Sequence, residues 1–303
     1  MSATASILYD APGPKTRKLS RIVSIIAGVV IAGGFVWLIW ALGQPRTTVN
    51  GAHLTGVWSP ERWDIFTDAE VWKGLLVRGL IKGTLRAAGL AAVLAILLGV
   101  VLCFARTAPQ RWVRVPATVV LEFFRGMPVL LMMLFILLAL GTGGYWAVVL
   151  ALTVYNGAII GEALRAGLQA LPKGQREAGL SLGLTPLSTR LYVEFPQAFQ
   201  QMLPIIVAQL VVLLKDTSLA YVVAYPEILR ISNQLKDYYG STRYSFSIFI
   251  VTLLIYLAVN FSLSALARWI AHRSAPKSGQ HIDPVQATSS LQSSAPAVPG
   301  SQI

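Results

Sequence analysis

Charged residues are scarce in this sequence of 303 amino acids, and so are cysteine and histidine. Only 13% of the residues are charged, whereas soluble domains carry about 25%. The single cysteine, Cys103, excludes an intramolecular disulfide framework and a cysteine-rich zinc site. The three histidines, His53, His272 and His281, lie outside the apolar runs. An intramembrane metal centre or a histidine-based catalytic pair therefore lacks ligands, and we expect no catalytic and no metal-binding residues.

Long apolar runs take up most of the sequence. Hydrophobic residues make up 55% of it, and the mean hydropathy is +0.62. A helix needs about 20 apolar residues to cross a bilayer, because only its own hydrogen bonds satisfy the backbone in lipid. The sequence therefore predicts an all-α, multi-pass membrane protein with about six transmembrane helices. We place them at residues 22–42, 81–105, 116–140, 145–164, 203–225 and 244–270.

The basic residues predict the orientation of these helices. Lysine and arginine number 25 against 13 acidic residues, which gives a net charge of +12. With six spans both termini lie on one side, and the loops of that side hold about twice as many basic residues as the opposite loops. We therefore expect a cell-membrane protein with cytoplasmic termini. The basic residues fall in four separate segments without interleaved aromatic residues, which argues against nucleic-acid binding.

The segments around the main apolar domain differ in composition. Residues 22–42 are too long for a signal peptide and lack a small-x-small cleavage site, so we expect a retained extra helix after a cytoplasmic segment, residues 1–21. Residues 43–80 are expected to form an external loop with an interfacial helix. Residues 81–272 contain the main transmembrane domain. Residues 273–303 are rich in Ser, Pro, Ala and Gln, which predicts a disordered cytoplasmic tail.

The external loop carries a helix-start signal and several large aromatic residues. Ser59 followed by Pro60 predicts an N-cap and a first helical residue. Trp63, Phe66 and Trp72 follow, and we expect these rings to lie on the lipid headgroup layer.

Glu162, at the end of the fourth span, lies one turn from Arg165 and either pairs with it at the cytoplasmic rim or acts at an inner gate. Four ionisable residues interrupt the predicted spans: Glu122, Arg125, Lys215 and Asp216. Each costs about 2.5–3.5 kcal/mol at the bilayer centre, so it should face a cavity or an opposite charge. Two interpretations remain open, ion pairs between helices or the lining of a solute pathway. The glycine and proline that closely follow Arg125 predict a break in the third helix, which is tolerated at membrane depth where it lines a cavity or contacts protein.

The longest predicted cytoplasmic loop, residues 171–198, predicts two short helices. We expect Glu177 in the first turn of one, where the helix dipole favours an acid, and Gly183 in the left-handed conformation that ends it. Thr185 then caps the second helix, with Pro186 at its first position. Such a loop is either an ordinary interfacial helix pair or a segment that docks into a groove of another protein.

This loop resembles the EAA loop of permease subunits of ATP-binding cassette (ABC) importers. That pattern is Glu-Ala-Ala, three residues, Gly, nine residues and Ile-x-Leu-Pro. Glu177, Ala178, Gly183 and Pro196 stand at the required spacing, and Gly179 replaces the third residue of the pattern. The resemblance implies a type I ABC importer permease fold, with a five-helix core plus the extra N-terminal helix. It also implies that these five residues take part in ATPase coupling.

Further motifs resemble the polar amino acid permeases and follow in order over residues 83–268. They are Phe-Arg-Gly-Met-Pro at 124–128, Leu-Pro-Lys-Gly-Gln at 171–175, Phe-Pro-Gln-Ala at 195–198 and Leu-Lys-Asp-Thr-Ser-Leu at 214–219. The opening Leu-Tyr-Asp-Ala-Pro-Gly-Pro at 8–14 and Tyr-Asn-Gly at 155–157 are similar to actinobacterial glutamate permeases.

The resemblance implies a division of labour among subunits. The sequence contains no Gly-x4-Gly-Lys-Ser/Thr motif to cradle ATP phosphates, so we expect no enzyme activity and no cofactor in this chain. ATP and Mg²⁺ would bind to a separate ABC ATPase dimer. A second permease subunit, identical or homologous, and an extracellular solute-binding protein would complete the importer.

Glutamate is the solute that the resemblance favours, because the cations within the spans suit an anion. A self-contained secondary transporter or channel, with Glu122, Glu162 and Asp216 as a proton or cation relay, is the alternative. The residues leave open which amino acid is carried. The candidate pathway residues are Arg125, Lys215, Ser218, Arg86, Asp216 and Glu162.

Overall fold

The computed structural model describes residues 13–47, 51 and 53–274, with side chains described up to residue 270. Within these residues the chain is helical apart from one short antiparallel pair, in which Arg46 lies opposite Leu54. The elements are α1 (Pro14–Gly43), β1 (Arg46–Thr47), β2 (His53–Leu54), α2 (Ala69–Trp72), α3 (Arg86–Arg106), α4 (Arg111–Gly126), α5 (Val129–Leu140), α6 (Gly143–Ala170), α7 (Lys173–Ser181), α8 (Pro186–Thr189), α9 (Phe195–Asp216), α10 (Ile228–Tyr239) and α11 (Ser241–Ser274).

Segments of 3₁₀-helix and π-helix join several of these helices. Two 3₁₀ turns precede α2, and a third follows α9; they cover Pro60–Arg62, Asp64–Thr67 and Thr217–Tyr221. Two π-helical segments, Lys73–Leu85 and Arg190–Glu194, connect α2 to α3 and α8 to α9 without a break.

The described helices confirm a multi-span membrane protein. Five are long and apolar enough to cross a bilayer: Pro14–Gly43, Ala69–Arg106, Gly143–Ala170, Pro186–Tyr221 and Ser241–Ile270. Helices α4 and α5 make a sixth if they cross as one span, but they bend by 105° at a two-residue break. The predicted break after Arg125 in the third span is confirmed, and that span consists of two helices. A glycine and Pro128, which lacks a backbone N–H, stop α4.

Two predictions for the external loop need correction. The second long helix starts at Ala69, twelve residues before the predicted span, because the amphipathic residues of α2 continue through a π-helical segment. Ser59 lies at an N-cap position, but its side chain accepts no hydrogen bond, and the helix that follows is a single 3₁₀ turn. The aromatic side chains of Trp63, Phe66 and Trp72 pack on one another, with ring centroids 6.0 and 5.7 Å apart.

The chain divides into two compact units. The first unit contains the residues up to Leu94, Met127–Val154 and Leu213–Asn260. The second unit contains Ala95–Gly126, Tyr155–Val212 and the residues from Phe261 onward. The lysine and serine of the 214–219 motif therefore belong to the first unit, and the EAA-like loop belongs to the second.

The first unit holds a hydrophobic core between the external loop, α10 and the start of α11. Its buried members are Ile65, Val71, Leu75, Ile228, Ile231, Leu235, Tyr244 and Ile248. Two glycines let α10 approach the π-helical segment closely. A Cβ atom on Gly83 would lie 2.4 Å from the carbonyl oxygen of Pro226, and one on Gly79 would lie 2.8 Å from the Cα of Ile228.

Polar contacts fix the external loop to the same core. The Tyr239 hydroxyl donates to Asp68 at 2.5 Å, and the guanidinium of Arg243 lies 2.5 Å from the carboxylate of Asp64. The hydrogen bond to Asp68 raises the pKa of Tyr239 to about 12, and the same bond lowers the pKa of the Asp68 carboxyl. The indole of Trp58 donates to the backbone at the end of α1, so α1 is joined to the loop.

The second unit is packed through small residues. A Cβ atom on Gly99 of α3 would lie 2.7 Å from Ile160 of α6, and one on Gly161 would lie 3.0 Å from the carbonyl oxygen of Gly99. Such glycines let membrane helices come within backbone contact, where van der Waals packing drives association. The Gln209 amide also donates to Asn156 at 2.8 Å, which joins α9 to α6.

We predict that Gly83→Ala destabilises the first unit, because the new methyl group would overlap the backbone before α10. Overpacking of this kind costs about 1–3 kcal/mol. Gly89→Ala in α3 is the matched control, because its Cβ meets nothing within 4 Å. Thermal unfolding of the detergent-solubilised protein should show a lower Tm for Gly83→Ala and an unchanged Tm for Gly89→Ala. Equal Tm values for the two variants would contradict the close approach of α10.

Candidate functional site

The predicted pathway residues fall in both units. Lys215, Ser218, Arg86 and Asp216 lie in the first unit. Arg125 and Glu162 lie in the second unit. Their surroundings differ, and they are described unit by unit.

Lys215 and Ser218 line one cavity of about 310 Å³ in the first unit. It lies between the end of α9, the 3₁₀ turn after it and one face of α11. The Lys215 ammonium makes no ion pair or hydrogen bond with any described residue. Apolar side chains form most of the remaining wall: Leu229, Phe249, Leu253 and Leu257.

Three neutral polar residues of α11 line the same cavity and were missed in the sequence analysis. Thr252, Tyr256 and Asn260 are four residues apart, so they share one helix face. The Asn260 Nδ2 donates to the backbone of Tyr256 at 2.8 Å, whereas its Oδ1 is buried without a hydrogen-bond partner among described residues. The lining of the cavity thus combines Lys215 with the hydroxyl-bearing residues Ser218, Thr252 and Tyr256. The i, i+4, i+8 spacing of polar residues in an apolar run was the signal.

A buried carboxyl group, also missed, supports this cavity. Glu227 is fully buried and caps α10 by accepting from the backbone N–H groups of Leu229 and Arg230 at 2.8 and 2.7 Å. The Tyr256 hydroxyl donates to the same carboxylate at 3.3 Å. Burial raises the pKa of Glu227 to about 7. An acid directly before a helix, after Pro226, is the sequence signal for such a cap.

Arg86 and Asp216 make no salt bridge within 4 Å of a described residue, although the charge of the neighbouring Lys215 acts on Asp216. The Arg86 guanidinium carbon lies 4.9 Å from the ring centroid of Tyr145, a cation–π contact, and the Tyr145 ring lies 5.7 Å from that of Tyr225. Pairing of Lys215 or Asp216 with another span, one of the open interpretations, is not observed among described residues.

In the second unit the ionisable residues form a network of ion pairs. Glu162 accepts hydrogen bonds from Arg165 at 2.5 and 2.9 Å and from Arg106. Arg106 also pairs with Glu122 at 3.1 Å, and Glu122 lies 3.5 Å from Arg125. The ion-pair interpretation therefore holds for Glu122 and Glu162. Arg106 joins the two acids and was missed because it ends an apolar run, where arginine is ordinary.

The EAA-like loop has the predicted two helices, α7 and α8. Gly183 has a φ of +79°, and the Thr185 hydroxyl accepts from the backbone N–H of Ser188 at 3.2 Å, as predicted. The position predicted for Glu177 is wrong. It is the fifth residue of α7, which starts earlier because Pro172 precedes it, so the helix dipole argument does not apply. Pro196 is the second residue of α9.

The surface of this loop carries exposed apolar side chains. Leu182, which follows α7, is 83% exposed, and Leu187 and Tyr192 are also largely exposed. Glu177 and Ala178 lie on exposed positions of α7. Scattered exposed leucines are ordinary in a protein surface, but a cluster on one short loop marks an interaction site.

Gly179 explains why the loop departs from its usual pattern. A Cβ atom there would lie 2.5 Å from the Cγ2 and 3.0 Å from the Oγ1 of Thr189. Thr189 is fully buried, and its hydroxyl has no hydrogen-bond partner among described residues. Only a glycine permits this contact between α7 and α8.

Among the described residues no group of His, Cys, Asp or Glu side chains could hold a metal ion. The geometry is instead that of a largely apolar cavity with a lysine in its wall, a paired charge network and an exposed loop in a membrane-spanning chain.

Comparisons with known proteins agree on one family. The model described as "Binding-protein-dependent transport system inner membrane component" matches residues 91–275. The glutamate transport system permease protein GluD of Corynebacterium glutamicum is 36% identical over 214 residues, 68% of this chain and 77% of GluD. The probable glutamine ABC transporter permease protein GlnP of Bacillus subtilis is 36% identical over 210 residues, 66% of this chain and 91% of GlnP.

A solved structure shows the same fold. One chain in the crystal structure of an amino acid ABC transporter with histidines aligns with a TM-score of 0.61 and 28% identity. The alignment covers 70% of this chain and 98% of that chain.

We predict that Gly179→Ala loosens the α7–α8 contact, because its methyl group would overlap Thr189. Gly174→Ala in the same helix meets nothing within 4 Å and should be neutral or slightly stabilising. The double variant Gly179→Ala with Thr189→Ala removes the overlapping atoms and should recover most of the loss. Trypsin cleavage at Lys173 and Arg176, together with Tm, measures the effect. Faster cleavage in Gly174→Ala than in Gly179→Ala would contradict the contact.

Proposed function

Since the chain belongs to the family of binding-protein-dependent transport system inner membrane components and is an amino acid permease of an ABC importer, we propose that its solute is glutamate. The single observation that carries this proposal is Lys215, a cation without an acidic partner among described residues in a largely apolar cavity. The name of the Corynebacterium relative supports the same solute.

The cavity around Lys215 has the chemistry that an amino acid requires. A lysine in the membrane costs about 2.5–3.5 kcal/mol, and a carboxylate bound to it would offset that cost through charge-assisted hydrogen bonds. The hydroxyl of Ser218, which lines the same cavity, is a donor for the second carboxylate oxygen. Arg125 and Arg86 remain further candidates for the side-chain carboxylate that distinguishes glutamate from glutamine.

The EAA-like loop is the proposed point of contact with a separate ABC ATPase dimer. Leu182 and its exposed apolar neighbours would bury their surface in a groove of that ATPase, and the rigid α7–α8 contact at Gly179 would transmit its motion. ATP and Mg²⁺ bind to the ATPase in this proposal. A second permease subunit, identical or homologous, completes the pathway, and an extracellular solute-binding protein delivers glutamate. The termini are then cytoplasmic.

We predict that Lys215→Gln lowers glutamate uptake about tenfold or more, because one charge-assisted hydrogen bond is worth about 1.5–3 kcal/mol. Lys82→Gln is the control, because Lys82 is exposed in the same unit but does not line the cavity. Uptake of labelled glutamate, aspartate, glutamine and arginine by proteoliposomes that contain the full complex measures the effect. Unchanged glutamate uptake in Lys215→Gln would exclude Lys215 as the carboxylate partner.

We predict that Leu182→Ala weakens association with the ATPase about tenfold, because truncation of a buried interface anchor costs more than about 1 kcal/mol. Leu138→Ala is the matched control, a leucine of α5 that is 78% exposed against 83% for Leu182. Co-purification and the stimulation of ATPase activity by the loaded binding protein are the measurements. Glu177→Ala should reduce the stimulation of ATPase activity without reducing co-purification. Uptake that persists with an ATPase unable to hydrolyse ATP would instead support the self-contained transporter.

A further inference from the structure

A large cavity of the second unit lies beside the EAA-like loop and is lined mainly by basic side chains. It measures about 830 Å³ and is open to solvent on one side. Six lysine or arginine side chains line it against two glutamates: Arg106, Arg114, Arg165, Lys173, Arg176 and Arg190 against Glu177 and Glu194. This excess of positive charge is not explained by the proposed transport of glutamate past Lys215.

Only half of these cations have a partner in the described residues. Arg106 and Arg165 bind Glu162, and Arg190 donates to the backbone oxygen of Thr107 at 2.5 Å and lies 3.8 Å from Glu194. The other half, Arg114, Lys173 and Arg176, make no ion pair with a described residue. Three cations from α4 and α7 without an ion pair to a described residue therefore line one cavity. Such a group favours an anion that has several charged oxygen atoms.

The flank of the cavity indicates the membrane surface. Arg114 and Thr118 of α4 line the cavity, whereas Val115 and Val119, the next residue in each case, are exposed. Trp112, at the start of the same helix, is 79% exposed. Tryptophan is enriched at the level of the lipid headgroups, and the valines after it offer an apolar path for acyl chains. Helix α4 thus presents a basic side to the cavity and an apolar side to hydrocarbon.

We propose that this cavity binds the phosphate headgroup of an anionic phospholipid, with its acyl chains along the exposed valines of α4. Basic pockets between transmembrane helices at the membrane surface are the known setting for such headgroups. Arg114, Lys173 and Arg176 contact the phosphate, so the lipid links α4 to the first helix of the EAA-like loop. Phosphatidylglycerol is the simplest headgroup of this chemistry.

The cavity adjoins the surface that we assign to the ATPase and shares Glu177 with it. Leu182 and Tyr192, the most exposed apolar residues of the loop, are absent from its lining. The lining comes from the facing ends of α3, α4 and α6, from α7 and from the π-helical segment before α9. A lipid site and a docking surface are therefore separable by variants.

The test uses the full importer complex in nanodiscs of phosphatidylglycerol and phosphatidylcholine, with native mass spectrometry to count retained phosphatidylglycerol. The triple variant Arg114→Gln, Lys173→Gln and Arg176→Gln should retain phosphatidylglycerol at least tenfold more weakly than the unaltered complex. The matched control Lys18→Gln, Arg21→Gln and Arg111→Gln removes the same charge from exposed residues outside the cavity and should retain it normally. Equal retention by both variants would overturn the proposal.

Two further measurements distinguish lipid binding from binding of soluble phosphate and from docking of the ATPase. Inorganic phosphate added to complexes in pure phosphatidylcholine should not bind measurably by calorimetry; binding that the triple variant abolishes would assign the cavity to soluble phosphate and overturn the lipid. Loss of the ATPase from the triple variant would assign the cations to subunit docking and likewise overturn it. Leu182→Ala is expected to retain the lipid whether or not it retains the ATPase, so failure of the proposed docking is seen separately.

Discussion

An ionised side chain in hydrocarbon costs about 2.5–3.5 kcal/mol, and the arrangement of this protein depends on how that cost is met. In the second unit it is met internally, because Glu122 and Glu162 share Arg106 and each has an arginine one turn along its own helix. In the first unit Lys215 has no such partner among described residues. The two units therefore use charge differently: the second pairs its ionised groups between helices, and the first holds a lysine in a largely apolar cavity, which the proposed function assigns to the solute.

The external loop and α10 keep the first unit in one arrangement around Lys215. Gly83 admits the backbone before α10, and Glu227 caps that helix while its carboxylate accepts from Tyr256. Tyr256 itself lines the Lys215 cavity and lies 3.3 Å from the hydroxyl of Thr217. The fully buried carboxyl group of Glu227 thus holds Tyr256 in position at the cavity. The raised pKa of Glu227 follows from its burial in this packing.

Local signals in the sequence were sufficient wherever a single residue type determines the backbone. Pro128 stops α4, and Gly183 adopts a positive φ that few other residues tolerate. Predictions failed where the outcome depends on a distant partner. The start of the second long helix is set by packing against α10, and the role of Asn260 appears only when α9 and α11 enclose a cavity. Neutral polar residues cost too little free energy on membrane insertion to stand out as functional candidates in an apolar run.

Gly179 shows how one departure from a family pattern can be structural in origin. A glycine inside α7 costs about 1 kcal/mol of helix stability relative to the alanine of the usual pattern. The exposed face of α7 makes no contact that would offset this cost. The compensation lies on the inner side, where Thr189 fills the space that an alanine methyl group would occupy. The backbone of α7 therefore packs directly on the Thr189 side chain of α8. This close packing holds α7 and α8 against each other, as the proposed transmission of motion from an ATPase to the following helices requires.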